Sequence, residues 1–382
     1  LRRRRRLYWL PAGVIGCAEA LFALALSRVL PLAPTLSLAA LLYFATVHRF
    51  SAQMRDRPRP RWITQLIDAP LFWHFGATVL TLVLSPLCIA GALLIGLARG
   101  WALDAVFQSW RLGVGAVYLI GLLVSAWAIW VERRFVQIRR LTVNVADLPA
   151  ELEGYTIAQL SDLHVGSFDP KARALEWAAL SNALEPDLAV VTGDLVTSGS
   201  GFYTDAADAI SALRAKDGVF VILGNHDLHS QAELAQLITE RGPVVLRNES
   251  RILRRGSAEL VVAGMDARHA DPSDVKHTLR DQPADAPIVL LSHYPTSFEA
   301  AVEAGADLLL VGHTHGGQLG IPFLSQRFNF ARLTNQRSRG PVYAGTTMMY
   351  VNAGLGTTGP PMRFAVPPEI ALFTLRRAEP GQ

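Results

Sequence analysis

Residues 308–315 read Leu-Leu-Leu-Val-Gly-His-Thr-His. The apolar run suits a fully buried strand. It stops on a glycine followed by two histidines two positions apart. Four other segments repeat the arrangement. Tyr155-Thr-Ile-Ala-Gln-Leu160 leads into Ser161-Asp-Leu-His164, and Leu188-Ala-Val-Val191 into Gly193-Asp194. Val219-Phe-Val-Ile-Leu223 leads into Gly224-Asn-His-Asp227, and Ile288-Val-Leu-Leu291 into Ser292-His293. Short apolar runs alternating with longer amphipathic stretches predict an α/β domain. In such sheets, binding sites form outside the carboxyl ends of the strands. Five polar clusters would then converge on one edge of the fold.

Carboxylate, imidazole and amide oxygen suit Mn, Fe or Zn better than Cu(I). Asp162 and His164 stand two apart, as do His313 and His315, so an extended backbone would aim each pair to one side. Glycines before Asp194, Asn225 and His313 permit tight turns close to an ion. Two ions need a shared carboxylate, and Asp194, alone after its strand, is the natural bridge. Taken singly, an Asp-x-His or a Gly-Asp is an ordinary turn or helix cap; the conjunction of five clusters carries the reading. The chain has no Gly-x-Ser-x-Gly of a serine hydrolase and no Gly-x-x-x-x-Gly-Lys-Ser/Thr phosphate loop.

From about Leu141 to Arg377 the sequence resembles the calcineurin-like metallophosphoesterases. Their pattern is Asp-x-His, Gly-Asp-x-x-Asp, Gly-Asn-His-Asp/Glu, His and Gly-His-x-His. Ser161–His164 and Gly312–Gln318 are most similar to a membrane-associated branch that includes UDP-2,3-diacylglucosamine pyrophosphatases of lipid A synthesis. The resemblance implies a four-layer αββα sandwich over residues 141–382 and two divalent ions, Mn, Fe or Zn, with Mn favoured. It implies Asp162, His164, Asp194 and His315 around the first ion. Asp194, Asn225, His293 and His313 would surround the second. Asp194 and His226 become the catalytic pair: a bridge between ions, and a proton donor to the leaving group. Asp227 would support these ligands from behind. Thr197 stands where the family often has the second Asp that orients the catalytic histidine, so the group that orients His226 is left open. The stretch Val351–Arg363 is rich in Gly, Thr and Pro. It reads either as a turn-rich connection or, by the resemblance, as a loop that brings Arg363 to a substrate phosphate.

The first third of the chain is different. An apolar run from Leu7 to Leu26 follows Arg2–Arg6, and others cover 30–47, 71–97 and 112–131. The first is near the ~20 residues a span needs, and another follows at once, which favours a membrane helix over a signal peptide. An all-α module of about four transmembrane helices is therefore predicted over residues 1–140. His74, near the end of the third run, reads as an interfacial residue. The two cysteines, Cys17 and Cys88, lie inside apolar runs and read as small packing residues rather than a disulfide or metal pair.

Composition agrees with this division. The chain of 382 residues is 51% hydrophobic and only 18% charged, below the ~25% charge of ordinary domains. Residues 1–140 carry a net +12 and the remainder −8. Fourteen arginines fall in the N-terminus, the 49–61 loop and the 133–140 segment, against Arg28, Arg99 and Arg111 in the alternate loops. With four spans this predicts a multi-pass protein of the bacterial inner membrane with a cytoplasmic catalytic domain. Nucleic acid is disfavoured as a partner, because the basic excess sits beside apolar runs. The expected substrate is a lipid-linked phosphodiester or pyrophosphate such as UDP-2,3-diacylglucosamine. The competing expectations are a tethered phosphodiesterase acting on a soluble nucleotide, and a non-enzymatic membrane scaffold.

Overall fold

The computed structural model describes residues 2–53, 58–266, 272–280, 282–283, 285–333 and 336–379. Arg55 and Arg57, counted above in the 49–61 loop, lie outside the described residues. The chain divides into a helical unit that runs to Val131 and a second unit that begins at Glu132.

The helical unit is built from α1 (Arg2–Leu26), α2 (Leu32–Gln53), α3 (Ala69–Arg99) and α4 (Leu103–Ala126). Each predicted apolar run forms a helix. Among the described residues, two helical stretches are long and apolar enough to cross a membrane, Arg61–Arg99 and Leu103–Arg134. Leu87, Leu94, Leu97 and Leu123 are exposed along them, as suits a hydrocarbon surrounding. Ala77 and Gly121 let α3 and α4 meet closely, since a Cβ on Gly121 would fall 2.9 Å from the Ala77 backbone. His74 is not interfacial. It is buried, with Nδ1 2.9 Å from the Tyr118 hydroxyl and Nε2 3.0 Å from Glu19 Oε1. A polar side chain inside such a bundle needs partners because no water competes for it, and Glu19 on α1 could not be matched to His74 from sequence spacing. Arg49 and Arg59 both pair with Asp68, at 3.1 and 3.4 Å, so part of this loop's positive charge is neutralised within the unit. Cys17 is exposed and Cys88 half-buried, both free, so neither is the tightly packed residue expected.

The second unit holds two six-stranded sheets. In the first, β1 (Gln137–Val145), β12 (Glu369–Arg377), β2 (Thr156–Leu160), β3 (Leu188–Thr192), β4 (Val219–Ile222) and β5 (Val244–Val245) lie side by side in that order. In the second the order is β10 (Gly340–Ala344), β11 (Thr347–Val351), β9 (Leu308–Val311), β8 (Ile288–Leu291), β7 (Ala258–Gly264) and β6 (Glu249–Arg255). β2 to β5 are mutually parallel, as are β7, β8, β9 and β11. β1 begins at Gln137, ahead of the boundary expected at 140. Arg139 and Arg140, read above as the end of the membrane module, therefore lie in a strand of the catalytic unit.

Alternation along the strands builds the layers. Ile157, Leu188, Val190 and Phe220 of the first sheet pack with Leu260, Val262, Leu291 and Leu310 of the second to form the inter-sheet core. Residues of opposite parity face helices. Leu160, Val191 and Val221 meet α5 (Lys171–Asn182), α6 (Tyr203–Ser211) and α7 (Gln231–Thr239). Ala263, Leu290 and Leu309 meet α8 (Pro272–Thr278) and α9 (Phe298–Glu303). This is the αββα sandwich. Each such leucine or valine removed from water stabilises by roughly 1.5–3 kcal/mol, which sets the strand ends firmly enough to carry a site.

Candidate metal centre

The five predicted clusters follow β2, β3, β4, β8 and β9. Three come from one sheet and two from the other, and all lie at the carboxyl ends. The first two loops are laced together by backbone hydrogen bonds. Asp162 N–H donates to the Gly193 carbonyl and His164 N–H to the Asp194 carbonyl, both at 3.0 Å. Gly354–Gly356 braces the β2 loop from the other side, with Gly356 N–H donating to Asp162 O at 2.8 Å. A Cβ on Gly356 would sit 2.2 Å from Leu163 O, so only glycine permits this approach.

Asp162, His164, Asp194 and His315 form one buried group whose ligand atoms all lie within 4.8 Å of one another. His164 Nε2 is 2.9 Å from His315 Nε2, and His315 Nε2 is 3.4 Å from Asp162 Oδ1. Asp194, His293 and His313 form a second group on the same terms. His293 Nε2 lies 3.2 Å from Asp194 Oδ2, while its Nδ1 donates to the Thr192 carbonyl at 2.9 Å. That carbonyl fixes the ring so that Nε2 faces the shared carboxylate.

These ligands do not sit on extended backbone. Asp162, His164, Asp194, His313 and His315 all have positive φ, between 44° and 70°. The two-residue spacing therefore does not act through strand alternation. Each pair converges because both of its members adopt the left-handed region, which a non-glycine residue enters at a cost of ~1–3 kcal/mol and which clusters at functional sites. The surrounding sheets over-determine the loops and hold that strain.

The chemistry of the donors fits divalent cations. Burial pushes the imidazoles of His164 and His313 down to about 3 and about 4, and His315 well below its ordinary value. All three are neutral at pH 7, as a metal ligand must be. Burial raises Asp162 to about 6. Burial also works against ionised Asp194, but His293 and the neighbouring imidazoles outweigh it and hold this carboxyl well below the usual range. Burial lowers His293, yet Asp194 overrides that and raises it to about 9. Asp194 therefore draws positive charge to itself strongly, a demand that a cation meets. Asn225 Oδ1, His164 Nδ1 and His313 Nδ1 are buried without a hydrogen-bond partner among the described residues. Buried orphans of this kind call for an explanation, and Asn225 Oδ1 follows β4 at the same edge as both groups.

Two supporting contacts answer questions left open by the sequence. His226 Nδ1 donates to the backbone carbonyl of Thr197 at 2.5 Å, so the main chain at 197 orients this ring where an Asp side chain was missed. The Thr197 hydroxyl is engaged elsewhere, donating to His164 O at 2.9 Å. Asp227 is fully buried and accepts from Leu195, Val196 and Gly224 N–H at 2.9, 3.2 and 2.7 Å. It ties the Asp194 loop to the Asn225 loop. Arg363 is placed differently from the phosphate-contact expectation. It is fully buried, and its guanidinium donates to Gly356 O at 2.7 Å and Ala353 O at 2.8 Å. Those donors hold the bracing loop in shape and are not free for a phosphate.

Residues 155–317 match the family model described as calcineurin-like phosphoesterase. The uncharacterized metallophosphoesterase YkuE of Bacillus subtilis is 29% identical over 257 residues, a match that covers 65% of this chain and 89% of that protein. A Danio rerio protein named transmembrane protein with metallophosphoesterase domain is 30% identical over 257 residues; the match covers 62% of this chain but only 56% of that protein. UDP-2,3-diacylglucosamine pyrophosphatase LpxG of Chlamydia trachomatis is 27% identical over 309 residues, with 66% of this chain and 92% of that protein covered. With the αββα layers and the buried Asp/His groups at the strand ends, these matches establish that the chain carries a calcineurin-like metallophosphoesterase domain and is a metal-dependent phosphoester hydrolase.

Proposed function

We propose that this protein is a membrane-anchored, dinuclear phosphoesterase that cleaves a phosphodiester or pyrophosphate bond in a lipid-linked substrate, of which UDP-2,3-diacylglucosamine is the leading candidate. The observation that carries the dinuclear reading is the pair of ligand groups that share Asp194. Asp162, His164, Asp194 and His315 would hold one ion, and Asp194, Asn225, His293 and His313 the other. Divalent ions, with Mn²⁺ the first choice, supply Lewis acidity toward phosphoryl oxygens and an activated water. The protein's own part is to fix the ligands and to move the leaving-group proton. His226 is suited to the second task, because Thr197 O takes its Nδ1–H and leaves Nε2 free to donate. The lipid reading is supported by the two apolar helical stretches and by the named activity of the Chlamydia relative. The arginine distribution supports an inner-membrane protein with its catalytic unit in the cytoplasm.

Purified full-length protein with Mn²⁺ is expected to release UMP from UDP-2,3-diacylglucosamine in mixed micelles. Hydrolysis of a cyclic nucleotide or another phosphodiester without turnover of this lipid would overturn the substrate assignment and leave the phosphoesterase intact. His226→Gln is expected to lower kcat by about 10²–10⁴-fold, the usual contribution of a general acid. The loss should be much smaller for bis(p-nitrophenyl) phosphate, whose leaving group needs no proton. Equal losses on both substrates would remove the proton-donor role.

A further inference from the structure

The segment that follows the last histidine pair has a composition unlike the rest of its domain. Between Asp307 and Glu369 there is no aspartate or glutamate, while Arg327, Arg332, Arg337, Arg339 and Arg363 all fall there. The domain as a whole is acidic. Within this stretch, residues 319–330 present Leu319, Ile321, Phe323, Leu324, Phe328 and Phe330 to solvent. Phe323 is completely exposed and Phe330 is 70% exposed. Single exposed apolar residues are ordinary, but six within twelve positions make a contiguous patch of the kind that marks an interaction surface.

The patch is not a slack loop. Ile321 N–H donates to Phe328 O and Phe330 N–H to Leu319 O, both at 3.0 Å, so the segment closes on itself as a narrow finger. Asn329 sits at its base, buried, and donates to Ser325 O at 2.7 Å and to Ser338 Oγ at 3.0 Å. Gly320 N–H donates to Phe364 O at 2.8 Å. Thr314, between the two ligand histidines, donates to Ser338 O at 2.7 Å. The finger is thus built onto the His313–His315 loop. Phe323 holds a φ of 64°, a conformation that a bulky residue rarely adopts, with its ring presented outward.

Two features identify what this surface meets. Arg327 and Arg332 are exposed among the apolar residues, and neither is within ion-pair distance of a carboxylate among the described residues. Apolar side chains interleaved with unpaired cations match an interface of acyl chains topped by anionic head groups, where each basic residue adds ~1 kcal/mol. The same chain also carries helices long enough to cross a bilayer, so a bilayer surface is always within reach. We propose that residues 319–332 form a membrane-docking finger that seats its apolar tip in an anionic lipid surface and brings the His313–His315 loop to the level of the head groups. The inference deepens the lipid-substrate reading but does not need any particular lipid to be the substrate.

The test uses full-length protein with Cys17→Ser and Cys88→Ser, and a spin label on Phe323→Cys, in nanodiscs of equal phosphatidylcholine and phosphatidylglycerol. Ser257→Cys, on the exposed β6–β7 turn, is the reference. The label at 323 should be shielded from a water-soluble relaxant and open to oxygen, while that at 257 shows the opposite. A label at 323 as water-accessible as that at 257 would overturn the proposal. So would a disulfide cross-link between two copies through 323 with no lipid shielding, which would make the finger a dimer contact. Phe323→Asp with Phe330→Asp should raise KM for a vesicle-borne phosphodiester about tenfold and leave bis(p-nitrophenyl) phosphate hydrolysis unchanged. Shielding at 323 without turnover of any lipid keeps the docking finger and overturns the lipid-substrate reading. Lipid turnover with 323 in water does the reverse.

Discussion

Asp194→Asn should leave the fold in place and abolish metal-dependent hydrolysis. The substitution keeps the side chain's shape and removes the one carboxylate common to both ligand groups. Asp194 holds its proton off against burial and draws His293 up to about 9. Without that charge, burial alone governs His293 and the neighbouring imidazoles, and nothing anionic remains between the two groups to offset a pair of dications. Losing an outer hydrogen-bond partner of a metal ligand lowers affinity or activity by ~10–100-fold, and losing the shared ligand must exceed that. We expect metal content by elemental analysis to fall below two ions per chain and kcat on bis(p-nitrophenyl) phosphate to fall by more than about 10³-fold. Replacing half-buried His313, which serves one group only, should do less. Two bound ions and a wild-type rate in Asp194→Asn would show that the site is elsewhere.

The second large effect is expected from Gly224→Ala, a change of one methyl group. Gly224 has φ −104° and ψ −174°, extended backbone that alanine adopts freely, so the damage is not conformational. A Cβ here would fall 2.2 Å from Asp194 Oδ1 and 2.3 Å from Asp194 N. No rotamer relieves a clash with a backbone nitrogen. Either the β3 loop or the β4 loop must move, although Asp227 ties Gly224 to Leu195 and Val196. Overpacking of this kind destabilises by ~1–3 kcal/mol, and an ångström of misplacement in a catalytic site can cost ~10²-fold in rate. We expect a lowered Tm together with at least that loss of kcat. Gly115→Ala, where a Cβ would meet nothing within 4 Å, is the control and should change neither. Unaltered kinetics in Gly224→Ala would mean that the two loops are not held as tightly as the contacts require.

Much of the catalytic half was legible before any coordinates. Strands such as Leu188–Thr192 and Leu308–Val311 are buried on both faces, so they read as unbroken apolar runs, and a glycine beside a polar cluster marks where each one ends. The ligand types sit at those ends because only there does the chain leave the hydrophobic layers. The helical unit was legible for a similar reason: a bilayer imposes long apolar segments that survive in composition alone. The relation between Asp162 and His164 was misjudged, because alternation holds only while the backbone stays extended. The left-handed φ of both residues is imposed by hydrogen bonds to Gly193 and Asp194, which are about thirty positions away.

Local order thus left its record in the chain, and long-range contact did not. Amino-acid sequence by itself determined the two-part organisation, the five strand ends and the set of metal-binding residue types, because periodicity, burial and turn chemistry act over a few residues. Tertiary structure alone decided which main-chain carbonyl orients His226, that Arg363 serves the loop behind the ligands, and that Glu19 pairs with His74. Each of those depends on groups brought together from distant segments, where a partner is chosen by packing and by the cost of burying a polar atom unpaired. It also decided which apolar residues of 319–330 stay outside the core. Hydrophobicity states that a side chain prefers to leave water, whereas the fold states whether protein is there to receive it.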